Sequence, residues 1–110
     1  MAPPKRDLLP GTLDMLVLKT LTVQPMHGYA LARHIQQASQ HVLSIEEGSL
    51  YPALQRMRQK GWIKAEWKQT PNNQRARYYT ITATGRKQLG EQESAFAELM
   101  TAIGRVMRPA

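Results

Sequence analysis

Residues 46–62, EEGSLYPALQRMRQKGW, decide the fold. At about 100° per residue, Leu50, Ala53, Leu54 and Met57 fall on one side of a helix, and Gly48, Pro52, Gln55, Arg56 and Gln59 on the other. The outer side carries amides and a guanidinium, with no carboxylate among them. Such groups pair with base edges and phosphates in a nucleic-acid groove, whereas a helix that meets only solvent more often mixes in Glu. A basic amphipathic helix is also the ordinary form of a surface helix, so the flanking sequence has to separate the two readings.

Downstream, the charge is uneven. Between Ser49 and Lys87 stand nine basic residues against Glu66 alone, in a chain whose whole net charge is +7 over 110 residues. That concentration favours a polyanionic partner over general solubility. One core is all this length can build. There is no cysteine, hence no disulfide framework and no thiolate metal site, which fits a reducing cytoplasm. The start, MAPPKRDLLPG, lacks the apolar stretch of an export signal, and no run reaches the length of a membrane span.

Residues 62–69 and 75–82 are rich in β-branched and aromatic side chains, with Pro71, Asn72 and Asn73 between them as turn chemistry; they predict a two-stranded hairpin. Arg75 and Arg77 flank Ala76 and therefore point to one side of the second strand. Gly61 is the left-handed stop of the preceding helix. Ser44 with Glu47 makes a capping box for that helix, while Pro52 favours a later start at Glu46 or Ser49, since proline is tolerated best in a first turn.

Upstream, residues 12–21 have helical apolar spacing at Leu13, Leu16, Val17 and Leu21, ended by a turn over 23–26. A second helix follows from His27, with Tyr29, Leu31, Ala32 and Ile35 as its packing side. His27 at its start can present free amides to a phosphate, and His27 and Tyr29 are candidates for backbone positioning. His27, His34 and His41 recur every seven residues, about 10 Å along a helix, which is too far for a shared metal ion. Catalysis finds no nucleophile with its base, no phosphate loop and no paired carboxylates, and no cofactor is expected.

After a turn over 82–85, a long helix runs to about Met107. Leu89, Phe96 and Ile103 are seven apart, and Leu99, Met100, Val106 and Met107 thicken the seam. A homodimer covers such a seam, and part of it can also pack on the first helix. Leu89, Phe96, Leu99, Met100, Ile103 and Met107 are the expected interface, and a small hydrophobic effector fits between the paired helices. Trp62, Trp67 and Phe96 are the aromatics able to flank a flat ligand, although tryptophans here are expected mainly in the core.

The fold class is thus mainly α with a small β-hairpin. Residues 1–10 form a loose arm, 11–84 a winged helix-turn-helix, and 85–110 a dimerisation helix. The chain resembles the PadR family of bacterial transcriptional regulators. GTLDMLVLKTL at 11–21, HGYALARHI at 27–35, GSLYPAL at 48–54 and RARYYTITATGRKQL at 75–89 carry the likeness, over roughly residues 8–90.

The resemblance implies a cytoplasmic, dimeric repressor that occludes a promoter at a palindromic operator in double-stranded DNA and is released by an effector or stress signal. The family's DNA-facing helix corresponds here to Ser49, Tyr51, Gln55 and Arg56, to which the outer face adds Gln59. The wing corresponds to Asn72, Asn73, Gln74, Arg75 and Arg77. With one helix after the wing, the chain looks like the short type of the family. The same charge also suits an interaction module for an acidic protein, and the seam suits a small-molecule sensor.

Overall fold

The computed structural model describes residues 11–108, so the expected N-terminal arm lies outside the described part. The elements are α1 (Thr12–Leu21), β1 (Met26–His27), α2 (Gly28–Ala38), α3 (Glu47–Gln59), β2 (Ile63–Gln69), β3 (Arg75–Ile81) and α4 (Ala83–Met107). The apolar periodicities become one core: Val17, Leu18, Leu31, Leu50, Leu54, Met57 and Ile63 have almost no exposed surface. The predicted inner side of α3, Leu50, Ala53, Leu54 and Met57, is buried in full. It sets the helix on α1, α2 and the base of β2.

The hairpin is part of a three-stranded antiparallel sheet in the order β1-β3-β2, not a two-stranded one. Met26 and His27 pair with Tyr79 and Tyr78, closing the open edge of β3. Two residues carry no periodicity, which is why this strand looks like a turn in the sequence. The β2–β3 register runs from Ile63 opposite Ile81 to Gln69 opposite Arg75. Asn73 closes the hairpin in the left-handed region at φ 66°, and its amide donates to the Thr70 carbonyl at 2.9 Å.

Helix α3 begins at Glu47 with Glu46 at its N-cap, and no side chain caps it, so the Ser44–Glu47 box is not formed. Pro52 therefore sits in the second turn rather than the first. The carbonyl left without its helical partner belongs to Gly48, on the exposed side where water can serve it. Gly61 takes φ 76° after the last turn, as its position predicts. Helix α4 starts at Ala83, ahead of the expected turn's end, because the Thr82 hydroxyl accepts from the Gly85 amide at 3.0 Å and caps it.

The first turns of α4 belong to the protomer. Leu89 is 5 % exposed and sits in the core, so its place is inside the single chain and not at a dimer seam. Lys19 of α1 approaches Glu93 at 3.8 Å where α4 leaves the body. Beyond that point every described residue of α4 except Gly104 is exposed. Helices α2 and α3 with the β2–β3 wing make a winged helix-turn-helix, from which α4 projects as a long arm.

Candidate nucleic-acid interface

The wing stands beside α3 and the start of α2, and a groove of about 810 Å³ lies between them. His27, Tyr29 and Tyr51 line its helical side; Trp67, Arg75 and Arg77 line its sheet side, with Asn72 and Gln74 at the hairpin end. Of the expected site residues, the fold thus brings together the start of α2, Tyr51 and most of the wing. Ser49, Gln55 and Gln59 are exposed on α3 but outside this groove. Asn73 does not line this groove; its side-chain carbonyl accepts from Gln69.

Tyr51 is held by a close approach. A Cβ on Gly28 would lie 2.9 Å from the Tyr51 ring and hydroxyl, so the missing side chain makes room for the phenol at the mouth of α2. His27 is the N-cap of α2, and its Nδ1 accepts from the Ala30 amide at 3.2 Å. One free amide of that helix is therefore taken by the imidazole, not left for a phosphate. Gly28 and Tyr29, the first two residues of that helix, line the groove. The imidazole packs edge-on against Tyr78 at 5.3 Å and stacks with Tyr29 at 6.4 Å.

Two expectations are corrected. Tyr29 is not on the packing side of α2: it is 59 % exposed, its hydroxyl accepts from Arg33 Nη1 at 3.3 Å, and that guanidinium lies over its ring at 5.7 Å. Arg56 is not a free outward arginine. Its Nη2 donates to Oδ1 of Asp14 at 2.5 Å, and the Asp14 side chain is almost wholly buried in α1. The helical wheel explains this. Arg56 and Tyr51 stand about 140° apart around the helix axis, so one flank of α3 meets α1 while the other meets the wing.

Arg58, Trp67 and Tyr79 were not among the expected site residues. Arg58 lies seven residues after Tyr51, on the same flank of α3, a spacing that was there to be read. Tyr79 is buried beneath the groove, and burial pushes its phenol above the ordinary value. Arg77 opposes that shift, Tyr51 adds to it, and Arg58 opposes it more weakly. Tyr51 and Arg77 line the same groove as this phenol. Trp67, expected in the core, is exposed.

Electrostatically the site is a basic rim over aromatic walls, and such rims suit phosphate oxygens. Among the described residues no helix is long and apolar enough to cross a membrane.

The family model described as "Transcriptional regulator PadR-like family" matches residues 17–91. An uncharacterised protein X of Lysinibacillus sphaericus is 27 % identical over 103 residues, covering 94 % of both chains. A transcriptional regulator from Clostridium thermocellum superposes with a TM-score of 0.82 at 24 % identity, over 89 % of this chain and 95 % of that one. A PadR family transcriptional regulator from Eggerthella lenta gives 0.77 at 32 % identity, over 91 % and 85 %.

Proposed function

The chain belongs to the PadR-like family of transcriptional regulators, and we propose that it works as a cytoplasmic homodimeric repressor that occludes a promoter. In this reading α3 enters the major groove, with Gln55, Gln59 and Ser49 meeting base edges. Tyr51, His27 and Tyr29 position the backbone, and Asn72 to Arg77 hold the flanking phosphates. Arg56, occupied by Asp14, aims α3 more than it reads sequence. The observation that carries the proposal is the groove that gathers Tyr51, Arg75 and Arg77 along one side of an exposed, carboxylate-free α3 face.

Two copies would pair through Phe96, Leu99, Met100, Ile103 and Met107, which are exposed along α4. A two-fold pair sets two recognition helices about one DNA turn apart and asks for a palindromic operator. A small hydrophobic effector between the paired helices would alter that spacing and release the DNA.

Selection of duplexes from a random pool tests the reading. The expected result is a two-fold symmetric site whose half-sites repeat at about 10 base pairs. Gln55→Ala should relax preference at one position of each half-site by about 1 to 3 kcal/mol. A pool that never enriches, with no duplex bound even at low salt, would sink it.

A further inference from the structure

The inner face of the hairpin continues past the end of the core. Ile63 opposite Ile81 and Ala65 opposite Tyr79 pack inward, and the next pair on that face is Trp67 opposite Arg77, followed by Gln69 opposite Arg75. Trp67 is 59 % exposed. Leaving so large an apolar ring in water forgoes the stabilisation that its burial would give. Among the described residues, the cations over its ring come from the opposite strand: the Arg75 guanidinium carbon lies 5.8 Å from the ring centroid and that of Arg77 5.9 Å.

The Arg77 Nε is out of water and has no acceptor among the described residues. Among the described residues no hydrogen bond fixes that nitrogen, and the indole is the group its guanidinium lies over. Two cations on one face of a strand repel each other, and the negative face of an indole offsets part of that repulsion. A guanidinium attracted to a ring through its face keeps its edge donors for an oxygen acceptor.

We propose that Trp67 is a positioning residue of the DNA site, whose ring holds Arg75 and Arg77 over the groove before any phosphate arrives. The proposal rests on the DNA-binding reading above. Free arginine side chains lose rotamer freedom when they bind, and that loss weakens association. Arginines already gathered on an indole have lost part of it in the unbound protein. Trp67 therefore strengthens binding through its neighbours and without touching nucleic acid itself.

The test is a fluorescence-anisotropy titration of a labelled duplex with the full chain. Trp67→Leu keeps apolar bulk but removes the π-face, and Trp67→Phe keeps a face. Trp67→Leu should weaken binding about three- to tenfold, and Trp67→Phe by no more than about twofold. In an Arg75→Ala/Arg77→Ala background the same Trp67→Leu change should have no effect, because the side chains it positions are gone.

Equal losses in both backgrounds would mean that the ring contacts DNA directly, and equal behaviour of Phe and Leu would mean that only bulk matters. Either result overturns the proposal, as does an unchanged affinity for every Trp67 variant. A wild-type chain that binds no duplex fails earlier, and takes the DNA reading down with it.

Discussion

Asp14 and Arg56 show how one contact changes a residue's role. The carboxylate of Asp14 is almost wholly buried, and Arg56, 42 residues away in sequence, is its ion-pair partner. Removing the guanidinium strands a buried anion, a larger loss than that of a solvent-exposed pair. Arg56→Ala should lower unfolding stability by about 1 to 3 kcal/mol in urea titrations. A change within about 0.5 kcal/mol would return Arg56 to the class of ordinary surface arginines. No helical wheel of α3 alone could find this, because the wheel shows which way a side chain leaves its own helix and not what stands there.

Tyr79 makes a second prediction at this scale. Its phenol is raised above 10.0, chiefly by burial, so the folded state prefers the neutral form more strongly than the unfolded chain does. The resulting stability is complete below 10.0 and is lost as pH rises through the higher folded value. Unfolding midpoints measured across the alkaline range should fall more steeply for the wild type than for Tyr79→Phe. Parallel curves would show that this phenol does not govern the alkaline limb.

Among the elements, the helices and the hairpin were legible because each repeats its pattern over enough residues. Leu50, Ala53, Leu54 and Met57 state the inner side of α3 four times, and Pro71 to Asn73 state the turn. β1 was not legible, since Met26 and His27 become a strand only by pairing with β3. The site was legible as a set of residue types and less so as an arrangement. Whether Trp67 stands opposite Arg77 depends on the number of residues the turn consumes, and a shift of one would put them on opposite faces.

The two glycines near the start of α4 separate close packing from mere helix weakness. A Cβ on Gly85 would lie 2.1 Å from the Trp62 carbonyl oxygen, a backbone atom tied down by the Thr82 amide at 3.0 Å. Nothing lies within 4 Å of a Cβ built on Gly90. Gly85→Ala should therefore destabilise by about 1 to 3 kcal/mol, while Gly90→Ala should stabilise by about 0.5 to 1 kcal/mol. Thermal melts of the two variants should move in opposite directions; if both rose, the backbone at Trp62 would yield to the added methyl.

At the scale of the molecule, the extents of 58 × 39 × 22 Å reflect the projecting part of α4. Phe96, Leu99, Met100, Ile103, Val106 and Met107 are between 43 % and 78 % exposed along it. An apolar run of this extent on a small domain marks an interaction surface. Sedimentation should find a dimer for the wild type and a monomer for Phe96→Glu/Ile103→Glu. The double variant should keep its folded body, because neither side chain belongs to the core. A variant that remains dimeric would move the interface elsewhere.

That exposed stripe also bears on how such a regulator answers to its own abundance. If two chains must meet before an operator is held, then at low levels, where single chains prevail, occupancy grows with the square of the number of copies. Halving synthesis would cut control by more than half, and the apolar arm of α4 would thus set a dosage threshold for the gene under control.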